Sequence, residues 1–382
     1  MIVVLDEKYL KYRQEIREFA LAEIAPHAKR LDEEQVFPHE HIPKLNELGL
    51  LGMVVPEEYG GSFTDTLKYA IAVEELSRVC GSTGIIVAAH NSLCTFPIYL
   101  FGTEEQKKKY LPPVCNGREL GSFGLTEPNA GSDAAGTQSV AVKNGDTWTL
   151  NGTKCFITNA TVGTTFVMTA VTDKTQGAKG ISAFILKKGT PGFSIGKKEN
   201  KMGLRGSDTA FLHFDDVKIP DSDRLGPEGD GFKEFMMTLD GGRISIGALG
   251  LGLGQGALDC ALEYAKVNEE NGRPVGDRQY IQFKLADISM QIEAARNFVY
   301  EAAIAKDKGV RFTRLSAIAK LYASEAGRYA AYWAGQILGD YGYTDKYPVD
   351  RIYRDVKLCE IGEGTSEIQR LVISRELLRG TS

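Results

Sequence analysis

The spacing of apolar side chains divides the chain into a helical region, a strand-like region and a second helical region. Residues 7 to about 116 carry apolar side chains at helical intervals, as at Tyr12, Ile16 and Phe19. Between about residues 120 and 220, short runs of β-branched and aromatic residues are separated by glycine, aspartate or asparagine, which is typical of strands. The helical period then returns. It predicts four long helices over residues 232–268, 279–308, 314–338 and 366–378.

These changes of period predict an α+β protein with three domains. Within the first region, a helix is expected over residues 67–76. Another helix is expected to begin at Thr103 and to end at Pro112 and Pro113, because proline lacks the backbone N–H that a helix requires. The predicted domains are an N-terminal α-helical domain (1–118), a middle β-barrel-like sheet domain (119–226) and a C-terminal four-helix bundle (227–382).

One glycine motif inside the second helical region is rejected as a cofactor site. Gly252, Gly254 and Ala257 satisfy a loose GxGxxA pattern, but a dinucleotide site requires a strand before the motif. The surrounding segment instead predicts one continuous helix. Gly250 and Gly254 are therefore expected to let a neighbouring helix approach closely.

Composition and charge exclude several classes of protein. The 382 residues have a net charge of −5 and no basic stretch interleaved with aromatic residues, which argues against nucleic-acid binding. The six cysteines have no CxxC spacing, so neither a disulfide framework nor a metal site is predicted. No signal peptide and no apolar run of membrane-spanning length is recognised. We therefore expect a reduced, cytoplasmic protein that does not insert into membranes.

The strongest candidate for chemistry is Glu363, in the segment CEIGEGTSEIQR. Gly362 and Gly364 flank it, so no neighbouring Cβ prevents a close approach to a ligand. Partial desolvation there would raise the pKa of the carboxyl group toward the range of a general base. The alternative interpretation is an ordinary acid at a helix N-terminus, stabilised by the helix dipole.

Two charged pairs have ordinary explanations when taken alone. Asp240 and Arg243 are three residues apart on a predicted helix and share a face, which usually means a solvated ion pair. Glu74 and Glu75 are expected to belong to a helix face without a role in chemistry.

Several segments in order resemble the flavin-dependent acyl-CoA dehydrogenases over residues 8–379. Besides EGTSEIQ, the matching segments are GLTEPNAGSD (124–133), LNGTKCFITNA (150–160), LDGGR (239–243) and GQILGDYGYTDKYPVDRIYRD (335–355). The resemblance is strongest to short-chain, butyryl-CoA-type members. It implies that Glu363 removes the α-proton of an acyl-CoA while the β-carbon delivers hydride to N5 of FAD, giving the trans-2-enoyl-CoA. It also implies electron transfer to an electron-transfer flavoprotein and a homotetramer.

The same resemblance implies roles for individual residues. Leu125 and Thr126 would contact the isoalloxazine, with Phe156 and Thr158 on the other side of the ring. Ser132 would contact the FAD phosphate or CoA, and Asp240 and Arg243, with Gly364, would hold the CoA thioester. The remaining cofactor-binding residues implied in this way are Phe123, Gln336, Gly339, Asp340, Thr365 and Glu367.

The chain departs from the family pattern at three places. Asn268 and Asn271 replace an arginine and an aromatic residue expected to hold FAD of the neighbouring subunit, and Asp340 replaces a glycine. These changes predict weak FAD retention or an altered subunit contact. Gly362 stands where a tyrosine is common, which hints at room for a branched, cyclic or dicarboxylic acyl group.

Three classes of function are compatible with these features. The first is FAD-dependent acyl-CoA dehydrogenation. The second is a non-redox relative on the same scaffold, such as a C–S or decarboxylating lyase, although Glu363 argues against members that replace the base. The third is a flavin-poor CoA-binding or assembly protein, which Asn268, Asn271 and Asp340 favour.

Overall fold

The N-terminal region of the protein is a layer of short and medium helices. The computed structural model describes residues 2–380. Single turns of π-helix join α1 to α2 and α5 to α6. The helices are α1 (Glu7–Phe19), α2 (Ala25–Glu33), α3 (His41–Glu47), α4 (Thr66–Val79), α5 (Gly81–Ala89), α6 (Phe96–Phe101) and α7 (Glu104–Cys115).

Helix α7 begins where the sequence predicts and ends later. The Thr103 hydroxyl accepts from the Gln106 N–H at 3.3 Å, and the Gln106 side chain accepts from the Thr103 N–H at 3.0 Å. This reciprocal cap confirms the predicted start. The predicted end was wrong, because Pro112 and Pro113 lie inside the helix, which continues to Cys115. Each proline leaves the carbonyl four residues before it without an N–H partner in the helix. These carbonyls belong to exposed lysines and can bond to water.

The middle region is one mixed sheet. Its strands follow the order β6-β7-β3-β2-β4-β5-β8, and β1 pairs with β4 in parallel. Trp148, Phe166 and Phe184 fill its core. The strands are β1 (Gly121–Gly124), β2 (Val140–Asn144), β3 (Thr147–Thr158), β4 (Thr165–Val171), β5 (Ile181–Lys187), β6 (Phe193–Ile195), β7 (Thr209–Pro220) and β8 (Arg224–Leu225).

The sheet is not closed, so the expectation of a barrel-like domain was wrong. Closure would require the two end strands to pair with each other. Strand β6 has three residues and pairs only with β7, while β8 has two residues and pairs only with β5. Such short edge strands cannot complete a cylinder and offer little template for pairing with another chain.

The C-terminal region is built from long helices, as predicted. Helix α8 packs against both α9 and α10, and it also packs against α4 of the N-terminal region. The predicted long helices agree with α8, α9, α10 and α13 to within a residue or two. The helices are α8 (Gly231–Val267), α9 (Gln279–Asp307), α10 (Thr313–Leu338), α11 (Val349–Asp355), α12 (Lys357–Ile361) and α13 (Ser366–Leu378).

The glycines of α8 serve helix packing, which confirms the rejection of a dinucleotide motif. A Cβ added at Gly254 would lie 2.9 Å from the Cα of Gly327 on α10. A Cβ at Gly250 would lie 3.1 Å from the carbonyl oxygen of Ala323. No strand precedes this segment, which lies in the middle of the helix.

The acidic pair lies on helix α4, as predicted, and both carboxylates are buried. Glu74 accepts from Arg296 at 3.1 Å and from the Tyr300 hydroxyl at 2.5 Å, both on α9. Glu75 accepts from Arg13 of α1 at 2.7 Å. The pair therefore joins three helices through buried ionic hydrogen bonds.

Two apolar helical segments meet the length and composition of a membrane span. They are residues 81–101, with 72% of the relevant window buried in the fold, and α8, with 89% buried. The expectation from the sequence that no apolar segment is long enough to span a membrane was therefore wrong. Burial of this extent is typical of the core helices of a globular domain.

Candidate active site

Glu363 lies in a left-handed turn between α12 and α13. Its φ is 52° and that of Gly364 is 94°. A left-handed conformation is unfavourable for a residue with a side chain, and such strain is often found at functional sites. Thr365 ends the turn by capping α13, since its hydroxyl accepts from the Ile368 N–H at 3.3 Å.

The Glu363 carboxylate is desolvated and lacks hydrogen-bond donors. Its Oε2 is buried and accepts no hydrogen bond from any residue of the described chain. Burial raises the pKa of Glu363 to about 7, although the nearby charges of Lys320 and Arg243 oppose the increase. The Glu363 backbone N–H also donates to no group within residues 2–380. A base and a free N–H donor therefore lie on one residue.

Helix α8 forms the floor beneath this carboxylate. A Cβ added at Gly242 would lie 2.0 Å from Glu363 Oε2, so only glycine leaves room for the side chain. Tyr69 of α4 lies nearby, and its hydroxyl donates to the Ala88 carbonyl at 2.8 Å. Burial and, to a smaller degree, the Glu363 carboxylate raise the pKa of Tyr69, so this neighbour stays neutral.

Asp240 and Arg243, on either side of Gly242 in α8, form a largely buried pair rather than a solvated one. Arg243 Nη1 donates to Asp240 Oδ1, and the Thr313 hydroxyl donates to Asp240 Oδ2 at 2.8 Å. Burial raises the pKa of Asp240. The Nε of Arg243 is buried without a partner among the described residues. This orphaned donor is available to a polar ligand group beside Glu363.

A second group of candidate residues lies on the sheet, where the chain after β1 meets the end of β3. We call Leu125, Thr126, Phe156 and Thr158 the sheet platform. The Cys155 N–H donates to the Thr126 carbonyl at 2.8 Å, which joins its two halves. Phe156 has a φ of 58°, an unfavourable backbone conformation for a residue with a side chain, and it is 64% exposed beside the Phe211 ring. Apolar surface and two hydroxyls therefore lie together, as a flat aromatic ligand requires.

The sheet platform is held by a buried ion pair. Lys154 Nζ lies 2.7 Å from Glu127 Oε1 and 3.2 Å from the Leu125 carbonyl. Glu127 also accepts from the Gln138 N–H at 2.6 Å and the Ser139 N–H at 3.1 Å. Burial alone would raise the pKa of Glu127, but these donors and the Lys154 charge hold that pKa at about 2. The pair thus fixes the loop that carries Leu125 and Thr126.

Replacing Lys154 with methionine is expected to lower the free energy of unfolding by about 3–5 kcal/mol, because Glu127 would remain charged and buried without its partner. Urea unfolding at neutral pH measures this. The matched control is Lys143→Met, which removes an exposed ion pair with Asp221 on the same sheet and should cost less than about 1 kcal/mol. Equal losses in the two variants would contradict a structural role for the Lys154 pair.

Helix α8 joins the sheet platform to Glu363. Phe123, at the end of β1, stacks on Phe235 with ring centroids 4.2 Å apart. Phe235 and Gly242 are seven residues apart on the same face of α8, which is about 10 Å along the axis. The Phe123–Phe235 contact and the Glu363 carboxylate are therefore about 10 Å apart along the axis of α8.

The other predicted site residues fall into three groups. Ser132 is exposed on the loop after the sheet platform, and an added Cβ at neighbouring Gly131 would meet nothing within 4 Å, so this loop borders open space. Thr365 and Glu367 line a cleft of about 260 Å³ to which Glu363 does not contribute. Gln336, Gly339 and Asp340 lie at the far end of α10.

The length of α10 separates that far end from the turn that carries Glu363. Lys320 contacts Gly364, and Gln336 follows 16 residues later on the same helix, about 24 Å away. These residues do not meet Glu363 within one chain. Nearby, Asn271 and Gly272 both have positive φ and form the turn of a two-residue hairpin. Asn-Gly is the preferred sequence for such a turn, which gives Asn271 a local structural reason.

Sequence reasoning missed four residues that shape the site. Gly242, Lys154 and Gln369 were quoted only as parts of motifs, and Lys320 was not considered. A lysine inside an otherwise apolar stretch is a usable signal, since lysine is almost never fully buried unless it is paired.

Comparison with protein-family models covers most of the chain. Residues 6–118 match the model described as "Acyl-CoA dehydrogenase, N-terminal domain" and residues 122–217 match the "middle domain". Residues 229–378 match the "C-terminal domain". A probable acyl-CoA dehydrogenase, YngJ of Bacillus subtilis, is 53% identical over 96% of this chain and 97% of that protein.

Solved structures give the same result. Butyryl-CoA dehydrogenase from Megasphaera elsdenii has a TM-score of 0.96 and 47% identity, over 99% of this chain and 100% of that one. A chain from the work on the electron transferring flavoprotein of Acidaminococcus fermentans and flavin-based electron bifurcation scores 0.97 with 48% identity, over 99% and 100%. A glutaryl-CoA dehydrogenase from Mycobacterium smegmatis in complex with FADH2 scores 0.93 with 30% identity, over 99% and 96%.

Proposed function

The chain belongs to the acyl-CoA dehydrogenase family, and from this premise we propose that it oxidises a short-chain acyl-CoA to the trans-2-enoyl-CoA. Glu363 would take the α-proton, and FAD, when bound, would supply the acceptor for the β-hydride. The observation that carries the proposal is the buried Glu363 carboxylate with an unpartnered oxygen and a free backbone N–H on the same residue.

The Glu363 residue supplies two parts of the proton abstraction. Its carboxylate, with a pKa near 7, is a stronger base than an ordinary surface glutamate and is ionised in half the molecules at neutral pH. Its N–H can donate to the thioester oxygen as negative charge develops there, which makes the α-proton more acidic. Gly242 keeps the carboxylate in place, and the neighbouring Tyr69 contributes no competing charge.

The residues present fit FAD, which is the cofactor we propose. The exposed, strained Phe156 ring and the half-buried Leu125 give apolar surface, while Thr126 and Thr158 give hydroxyl groups beside it. When bound there, FAD supplies the hydride acceptor. Ser132, Thr365 and Glu367 are proposed to hold the remainder of the cofactor. Gln336, Gly339 and Asp340, which lie too far from Glu363 in one chain, are proposed to hold it across a subunit contact in a homotetramer.

The CoA portion is proposed to lie along α8. The orphaned Nε of Arg243 can donate to a carbonyl or amide of the pantetheine arm, and Asp240 fixes that guanidinium. Gly364 completes the turn beside the thioester. At Gly362 an added Cβ would make only ordinary contact with Leu358, at 3.4 Å, so a side chain would fit there. We propose that its absence leaves this volume to substituents at the acyl end. The electron acceptor is proposed to be an electron-transfer flavoprotein.

The reaction rate should depend on pH through Glu363. The base acts only when ionised, and its pKa is raised to about 7 in the fold. We therefore expect kcat/KM to fall about tenfold per pH unit below pH 7 and to level off above it. A pH profile of flavin reduction by butyryl-CoA, in stopped flow, measures this. A rate that stays constant down to pH 5 would contradict Glu363 as the base.

The proposed function is tested by the visible spectrum of the purified protein. Addition of butyryl-CoA, glutaryl-CoA or a cyclic acyl-CoA without oxygen should bleach the flavin and yield the enoyl-CoA. A bound flavin that none of these compounds bleaches, with release of a thiol or CO₂, would favour the lyase alternative. A protein that stays colourless with added FAD would favour the CoA-binding alternative and the predicted effect of Asn268, Asn271 and Asp340.

A further inference from the structure

The turn that carries Glu363 is fixed by two buried side chains from neighbouring helices. Lys320 of α10 donates from Nζ to the Gly364 carbonyl at 2.6 Å. The Gln369 side chain of α13 donates to the same carbonyl at 3.0 Å and to the Glu363 carbonyl at 3.2 Å. Both side chains are fully buried. The carbonyls of two successive left-handed residues are therefore held by side-chain donors.

These hydrogen bonds stabilise the left-handed conformation of the turn. A left-handed glutamate is held only if its surroundings favour that conformation. Gly364 leaves little space, because an added Cβ would lie 2.8 Å from the Gln369 amide nitrogen. Without these donors, two partly buried carbonyls would lose their side-chain partners, which costs free energy where water cannot replace them.

Lys320 also brings a positive charge close to the base. The other charged group facing Glu363 is Arg243 of α8, which is already paired with Asp240, and Tyr69 of α4 is neutral. Lys320 itself faces Glu363, Arg243, and Cys359 and Glu360 of α12. Of the two cations near Glu363, Lys320 is the one that makes no ion pair with a carboxylate in the described chain.

We propose that Lys320 is a positioning residue for Glu363, which orients the catalytic turn through the Gly364 carbonyl and stabilises the ionised base with its ammonium group. The inference rests on the proposed function for its catalytic meaning. Gln369 shares the orienting role but carries no charge. The two side chains therefore separate geometry from electrostatics.

Lys320→Met in the flavin-loaded enzyme is expected to raise the midpoint of Glu363 ionisation by about one pH unit, since burial would no longer be opposed by that charge. At pH 7 this alone lowers flavin reduction about fivefold. The midpoint is measured by an infrared titration of the carboxyl stretch, assigned by its absence in Glu363→Gln, and again from the acid limb of flavin reduction. Lys320→Gln, which keeps a donor but not the charge, should move the midpoint equally and serves if the methionine variant does not fold.

Two further variants make the test specific. Gln369→Leu should slow flavin reduction without moving the midpoint. Lys306→Met removes another largely buried lysine, whose Nζ lies over the Phe96 ring, and should change neither property. An unchanged midpoint in both Lys320 variants would overturn the proposal. Failure of the parent enzyme to be bleached by any acyl-CoA would instead refute the proposed function, while the infrared midpoint would still decide the role of Lys320.

Discussion

Glu363→Gln should lower the rate of flavin reduction by butyryl-CoA about 10³- to 10⁴-fold, because glutamine keeps the shape of the side chain but cannot accept the α-proton. The buried Oε2 without a donor is the atom that would take this proton. Stopped-flow absorbance under anaerobic conditions measures the rate. Flavin content after gel filtration should equal that of the parent, since the residue lies about two helical turns from the Phe123–Phe235 contact of the sheet.

The substitution should not destabilise the fold. The pKa of Glu363 is higher in the folded chain than in an unfolded one, so the folded state binds more protons between about pH 4.3 and pH 7. Ionisation of Glu363 therefore lowers the free energy of unfolding as pH rises through that window, and the neutral glutamine removes this loss. Glu360→Gln, which removes an ionised carboxylate paired with Lys357 and Arg328, is the control and should retain its activity. Undiminished turnover of Glu363→Gln would eliminate it as the base.

Gly242→Ala should lower the rate of flavin reduction about 10²-fold. The added Cβ would lie 2.0 Å from Glu363 Oε2, so the carboxylate must move, and a displacement of about 1 Å can cost a factor of this size. The shift should reduce kcat more than it changes KM, because the CoA contacts of Arg243 remain. Steady-state kinetics with an artificial acceptor separate these two parameters.

The neighbouring glycine provides a matched control for this effect. Gly241→Ala adds the same methyl group to the same helix, where its nearest contact is the flexible Lys306 Nζ at 3.3 Å. Both substitutions raise helix propensity by a similar amount, so the difference between them reports the contact with Glu363. Equal activity of the two variants would show that Gly242 does not position the base.

Burial and the Lys320 charge act in opposite directions on the pKa of Glu363. Burial alone would leave a carboxyl group protonated and useless as a base at neutral pH. One buried ammonium, itself held at a pKa of about 8 by burial, keeps the carboxylate near the point of half ionisation. The site thus combines desolvation, which strengthens the base, with enough positive charge to keep it available.

Local patterns in the sequence were sufficient to predict the long helices and the candidate base. The periods of apolar residues set the long helices to within a residue or two, and Thr103 marked the start of α7, because caps and periodicity depend on residues close together in the chain. Glu363 between two glycines was recognised for the same reason. The glycines of α8 were correctly assigned to helix packing, since their spacing is a local property.

Tertiary structure alone decided which distant residues meet. The periodicity of a strand does not state whether a sheet closes, and the short edge strands β6 and β8 left it open. Glu74 can be buried as an ion because Arg13 and Arg296, on two other helices, donate to its carboxylate. Gly242 and Lys320 lie far from Glu363 in sequence, and Gln369 was quoted only as part of a motif, yet all three contact its turn. Their roles follow from packing, because burial and distance between charges exist only once the helices are assembled.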